Sequence, residues 1–272
     1  MRAKVFKNMK IGWEKERWLF NREIIFAILI TAILYIMDIY ADGMGGSFLK
    51  DGWDCGAVEL SMFAFGGLLN RVGLCLCVFA SAGLFAEDEE SNTLYMRIQR
   101  VGKKRYSVLR TLQCMFSSFI VGALSYLCEI LFLVIVLKQS IWTSEGTSEW
   151  LSYDSQMILN NNMIGFILMT ACLCGLGTAF YGALTMIFSL LVQNRKCILV
   201  FPVLMWYFNQ YMLNRIHLVP DSIQPSILFS GTNFISNLLD ISEWAGIVYL
   251  AAYVGITYII TYLLIRIKLQ RV

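Results

Sequence analysis

Histidine is almost missing from this chain of 272 residues: His217 is the only one. Proline is scarce too, with three, and charged residues make up only 15%. Each shortage excludes something. One histidine cannot complete the ligand set of an intramembrane metalloprotease. No H-E-x-x-H or G-x-S-x-G occurs, so those hydrolase chemistries are excluded. Glu89 and Glu90 imitate the paired glutamates of membrane prenyl-peptidases, but the accompanying arginine and histidines are missing. No G-x-x-x-x-G-K-[ST] loop occurs, so the chain does not bind ATP by a P-loop. The expectation is a protein without a catalytic residue, a metal or a cofactor of its own. Eight cysteines are present, yet only Cys55 falls in an expected outer loop, which excludes a secreted disulfide framework. Cys75/Cys77 and Cys172/Cys174 are C-x-C pairs inside apolar blocks and read as small packing residues. No internal repeat, low-complexity linker or cleavable signal peptide is seen.

The scarcity of proline permits long uninterrupted helices, and the apolar residues are arranged to use them. Hydrophobic residues make up 58% of the chain and mean hydropathy is +0.63. They fall into long blocks with the charges between, a pattern that fits a bilayer better than a soluble core. The predicted fold is an all-α integral membrane protein with six transmembrane helices, at 24–40, 60–85, 108–137, 163–192, 197–213 and 244–265. Together, residues 23–272 form one membrane domain. Residues 1–22 carry seven Lys or Arg, with Trp13 and Trp18 among other apolar side chains. They read as an N-terminal interfacial amphipathic helix on the inner leaflet. Eighteen Lys or Arg fall in 1–22, 86–110, 193–196 and 266–272; the other four are Lys50, Arg71, Lys138 and Arg215. Basic residues collect on the inner side of a membrane, so the N and C termini are both expected in the cytoplasm. The localisation implied is the cell membrane, multi-pass, of a bacterium. Nothing points to nucleic acid.

The most informative charged stretch is 85–110, FAEDEESNTLYMRIQRVGKKRYSVLR. Glu87, Asp88, Glu89 and Glu90 open it, and Arg97, Arg100, Lys103, Lys104 and Arg105 close it. Acid first and base last suits the dipole of a short helix. Leu94, Tyr95, Met96, Ile98 and Val101 supply an apolar side able to enter another protein's groove. From the residues alone, an ordinary charged loop that enforces topology fits equally well.

The order of features resembles the membrane subunits of ATP-binding-cassette (ABC) exporters of the second type. Phe85-Ala86-Glu87-Asp88 and Thr93 match the start of the family's pattern after span two, and Arg100, Arg105 and Tyr106 match its end. Asn92 stands where the family more often has glycine. The resemblance implies a permease subunit that moves a peptide, drug-like or other amphipathic substrate. It implies a cytoplasmic coupling helix at 86–106 on which a separate ABC ATPase docks, with Glu87, Asp88, Glu89, Thr93, Tyr95, Arg97 and Arg100 as contact residues. ATP and Mg would sit in that ATPase. A second permease subunit, identical or related, is implied, as is a re-entrant or surface-lying element within 214–243. The alternative is a non-transporting immunity or sensor subunit of an ABC-type complex.

Charges inside the spans give a geometric expectation. Asp38 and Arg71 lie 15 residues from the inner ends of their spans, roughly 22 Å at 1.5 Å per residue, and Glu129 lies 18 residues up, roughly 27 Å. The three are expected in one layer, with Arg71 paired to Glu129 and Asp38 as its second candidate. Such a layer serves either as an outer gate or as a structural ion pair. Ala171, Gly175, Ala179 and Ala183, with Gly182 beside them, form a small-residue stripe that lets helices approach closely. Tyr207, Asn209 and Gln210 at the end of span five either line a substrate path or belong to an aromatic belt.

Overall fold

The computed structural model describes residues 22–41, 56–58, 60, 61, 73, 76, 78, 84–90, 93–141, 162–192, 194–208 and 245–270. The expected interfacial helix 1–22 (Arg22 apart), most of the second span and the segment 214–243 lie outside the described residues. Seven helices are complete enough to name: α1 (Arg22–Ala41), α2 (Leu84–Glu90), α3 (Thr93–Val101), α4 (Lys103–Ile135), α5 (Met163–Ser189), α6 (Arg195–Tyr207) and α7 (Ala245–Gln270). Four of them, α1, α4, α5 and α7, are long and apolar enough to cross a membrane, and α6 is a shorter apolar helix. This is the composition of a membrane protein built from helices.

The boundaries have local causes. Gly102 separates α3 from α4 at φ 87°, a conformation that costs an L side chain energy and glycine almost nothing. Its N–H donates to Ile98 O at 2.7 Å, closing α3, and its carbonyl accepts from Tyr106 N at 2.9 Å, opening α4. The 86–106 region is therefore two short helices and a break rather than one helix, and the third long helix begins at Lys103, not at 108. At 33 residues, α4 is about 50 Å long, against a hydrocarbon core of about 30 Å. A full turn or more must stand clear of the lipid. Asn162 caps α5, its side chain accepting from Gly165 N at 3.1 Å. The last helix runs to Gln270, so the expected tail RIKLQ is helical.

Two long helices form the centre. Along the α4–α5 seam, a Cβ on Gly122 would press on Thr178 and the Cys174 carbonyl, one on Gly175 on Phe119, and one on Gly182 on Ser118. Close approach lets hydroxyls bond across the seam: Thr178 Oγ1 donates to Ser118 O at 2.8 Å and Cys114 Sγ to Gly182 O at 3.4 Å. The small stripe of span four thus meets another span of the same chain. On the other side of α4 lies α1, where Ser125 Oγ donates to Ile28 O at 3.2 Å, and α7 packs on α5 through Leu250. Apolar side chains on the outer faces, among them Phe26, Ile33, Phe116, Leu131, Ile256 and Ile260, are exposed and suit contact with lipid.

Candidate functional site

At one end of the long helices, α2 packs with α3 and the ends of α4, α5 and α7, and one carboxylate of α2 is held by α3 and α4. Asp88 is 4% exposed. Its Oδ2 accepts from Tyr106 Oη at 2.5 Å and from Arg110 Nε and Nη2 at 2.9 and 2.7 Å. Its Oδ1 accepts from Thr93 Oγ1 at 3.5 Å and lies 3.5 Å from Arg97 Nε. Arg110 also donates to Gln113 Oε1 at 2.7 Å. Burial pushes the Asp88 carboxyl above its ordinary range, while the Tyr106 hydrogen bond, the Arg97 charge and the Thr93 hydroxyl pull it back. The guanidinium of Arg110, paired to Oδ2 through both Nε and Nη2, favours the anion. One side chain of α2 therefore joins α3 and α4.

A second tie reaches the end of the chain. Lys268 Nζ lies 2.7 Å from Glu89 Oε2, donates to Leu190 O at 3.0 Å and sits 5.0 Å from the centre of the Phe85 ring. Lys103 Nζ donates to Leu269 O at 2.6 Å. Beneath these polar contacts, Phe85, Ala86, Leu94, Tyr106, Met186, Ile198, Ile265 and Leu269 form one apolar cluster. The helix pair is thus seated by apolar contact and pinned by charge. Its outward side is different: Tyr95, Met96 and Val101 are 56%, 54% and 38% exposed, and Gln99 and Arg100 are exposed beside them.

The expected contact residues accordingly divide. Asp88, Glu89 and Thr93 face inward and hold the unit together, Arg97 stands at its edge, and Tyr95 and Arg100 face outward. Glu87 belongs to α2, but its side chain lies outside the described residues. Tyr207 ends α6 half-buried, edge-on to Trp206 with ring centres 5.3 Å apart. Asn209 and Gln210 lie outside the described residues, so the expected path is represented by Tyr207 alone.

In the membrane layer, Asp38 on α1 and Glu129 on α4 are 3% and 0% exposed. They are close enough to repel one another when both are charged. Tyr35, Ile39, Ala57, Leu60 and Leu133 pack at the same level. Neither Glu129 oxygen has a hydrogen-bond partner among the described residues. Arg71, the expected partner, lies outside them. No group of three His, Cys, Asp or Glu side chains fit to hold a metal occurs among the described residues.

Compared with protein-family models, with curated proteins and with solved structures, the chain matches none. The functional reading rests on its own residues. Sequence reasoning passed over Lys268 and Arg110 as site residues. Arg110 had a signal, since Tyr106 and Arg110 are four apart and share a helix face. Lys268 had none, being 179 residues from the Glu89 it binds.

Proposed function

We propose that this chain is the permease subunit of an ABC exporter of the second type. In this reading it has six spans, cytoplasmic ends and a place in the cell membrane. It pairs with a second permease subunit, and a separate ATPase carries ATP and Mg. The observation that supports it is the two-sided helix pair α2–α3. An ATPase that pushes on a permease needs a surface to grip and a rigid attachment behind it. Tyr95, Met96, Arg100 and Val101 offer exposed apolar and basic surface. Behind them, Asp88 and Glu89 are fastened to α4 and α7, two of the helices long enough to span. Motion at the exposed side then reaches the membrane through ion pairs and a packed apolar cluster rather than a loose loop. The substrate class is an amphipathic molecule such as a peptide or a drug-like compound.

The test is purification in mild detergent from the native membrane. An ATPase subunit is expected to co-purify, and to be lost from Tyr95→Glu/Met96→Glu while the chain still inserts. A wild-type chain that carries no ATPase counts against the reading. ATPase binding without substrate movement in sealed vesicles favours the immunity or sensor alternative.

A further inference from the structure

The membrane layer holds a feature the transport reading does not use. Glu129 is completely buried in the last two turns of α4, and both of its oxygens lack a partner among the described residues. A buried carboxylate normally recruits a cation or several N–H and O–H donors, because leaving it ionised and bare is costly. Here the charged group within electrostatic range of it is another acid, Asp38 of α1. Two acids near one another in a dry place cannot both be ionised cheaply, so one of them keeps its proton. A metal ion is a poor alternative. Among the described residues no third His, Cys, Asp or Glu completes a ligand group, and two carboxyls alone make too small a donor set for a hard cation.

The ionisable neighbours are few. Tyr126, on the same face of α4, and Asp38 are near enough to interact with Glu129 electrostatically. Tyr35 of α1 packs at the level of Leu133, and Cys174 of α5 packs against Tyr126. Each of these is neutral or acidic. Glu59 and Arg71 lie outside the described residues. A turn and more below Asp38, α1 is closely packed: a Cβ on Gly73 would sit 3.2 Å from Thr31 and 3.4 Å from Tyr35. A proton needs no volume, which a hydrated cation does.

We propose that Glu129 is a proton-binding site inside the membrane, occupied at neutral pH, with Asp38 as the acidic neighbour that helps hold the proton there. The inference is independent of the transport reading, since it concerns the carboxyl groups and not what the chain moves. If the chain is a permease, the site supplies a proton-sensitive step at the level of the outer leaflet. Any motion of α1 against α4 that admits water or a basic group changes its occupancy.

Infrared spectroscopy of the purified full-length chain in lipid tests it. A C=O stretching band of a protonated carboxylic acid, shifting in deuterated water, is expected at pH 7. Isotopic labelling of glutamate carboxyls should move the band, and labelling of aspartate should not. Glu129→Gln, which matches the neutral acid in shape, should remove it, and Asp38→Asn should leave a band that still follows glutamate labelling. Absence of the band from the wild-type protein overturns the proposal and favours a carboxylate paired with Arg71. A band that follows aspartate labelling overturns the assignment to Glu129. The labelling experiment needs no variant, so the proposal stays testable if Glu129→Gln does not fold.

Discussion

Asp88 and Glu129 are both buried acids, and the protein treats them in opposite ways. Around Asp88, at one end of the bundle, Arg110, Tyr106, Thr93 and Arg97 supply hydrogen bonds or charge. Around Glu129 the described residues supply no hydrogen bond, and the nearby charge is another acid. The difference follows from where donors can be carried. An arginine at the end of a long helix such as α4 reaches across a polar boundary at small cost, whereas each charge placed at mid-membrane must itself be desolvated. Asp88 therefore works as a structural anion. Glu129 is suited to work as a neutral acid.

Substitutions can break or sharpen that contrast. The largest effect is expected for Asp88→Ala, which leaves Arg110 buried without its carboxylate. Breaking a buried pair from one side costs about 3–5 kcal/mol, to be read as a fall in thermal unfolding midpoint in detergent. Tyr106→Phe removes one hydrogen bond to a charged group and should cost about 1.5–3 kcal/mol in the same assay. Lys268→Ala breaks a partly exposed pair, worth about 1 kcal/mol. Its clearer signature should be weaker cross-linking between cysteines placed on α2 and at the end of α7. Glu129→Gln should be the mildest, with no measurable loss of stability, because it replaces a neutral acid by a neutral amide of the same shape. If Glu129→Gln proves as damaging as Asp88→Ala, the two carboxyls are alike after all and Glu129 is a paired anion.

A second contrast explains how much could be read in advance. In the sequence α5 and α7 are both long apolar runs, yet 61% of the apolar window of α5 is buried and only 17% of that of α7. Apolarity reports that a helix belongs in lipid and not which of its faces meets protein. The stripe of Gly175, Ala179 and Gly182 did carry that information, since small side chains only serve a helix that something approaches closely. In α7, Gly255 has nothing within 4 Å of where a Cβ would stand, so a glycine alone does not mark a seam. In the 86–106 region the order of acidic, apolar and basic residues announced a single helix, where the structure has two short ones and the start of α4. That the second short helix stops at Gly102, where α4 begins, depends on a backbone angle that a glycine permits but does not demand.

By itself the sequence determined that the chain consists of long apolar helices with basic ends, because hydropathy and charge add along the chain and need no partner to be counted. It also marked Asp38 and Glu129 as charges inside apolar helices and placed them at similar depth by rise per residue alone. Only the tertiary structure decided which polar groups meet. Asp88 is satisfied from two other helices, Lys268 binds Glu89 across most of the chain, and Glu129 lies within electrostatic range of Asp38. Those outcomes depend on which helix faces pack together and at what height, and hydrogen bonds and ion pairs lose their strength within a few ångströms of misplacement.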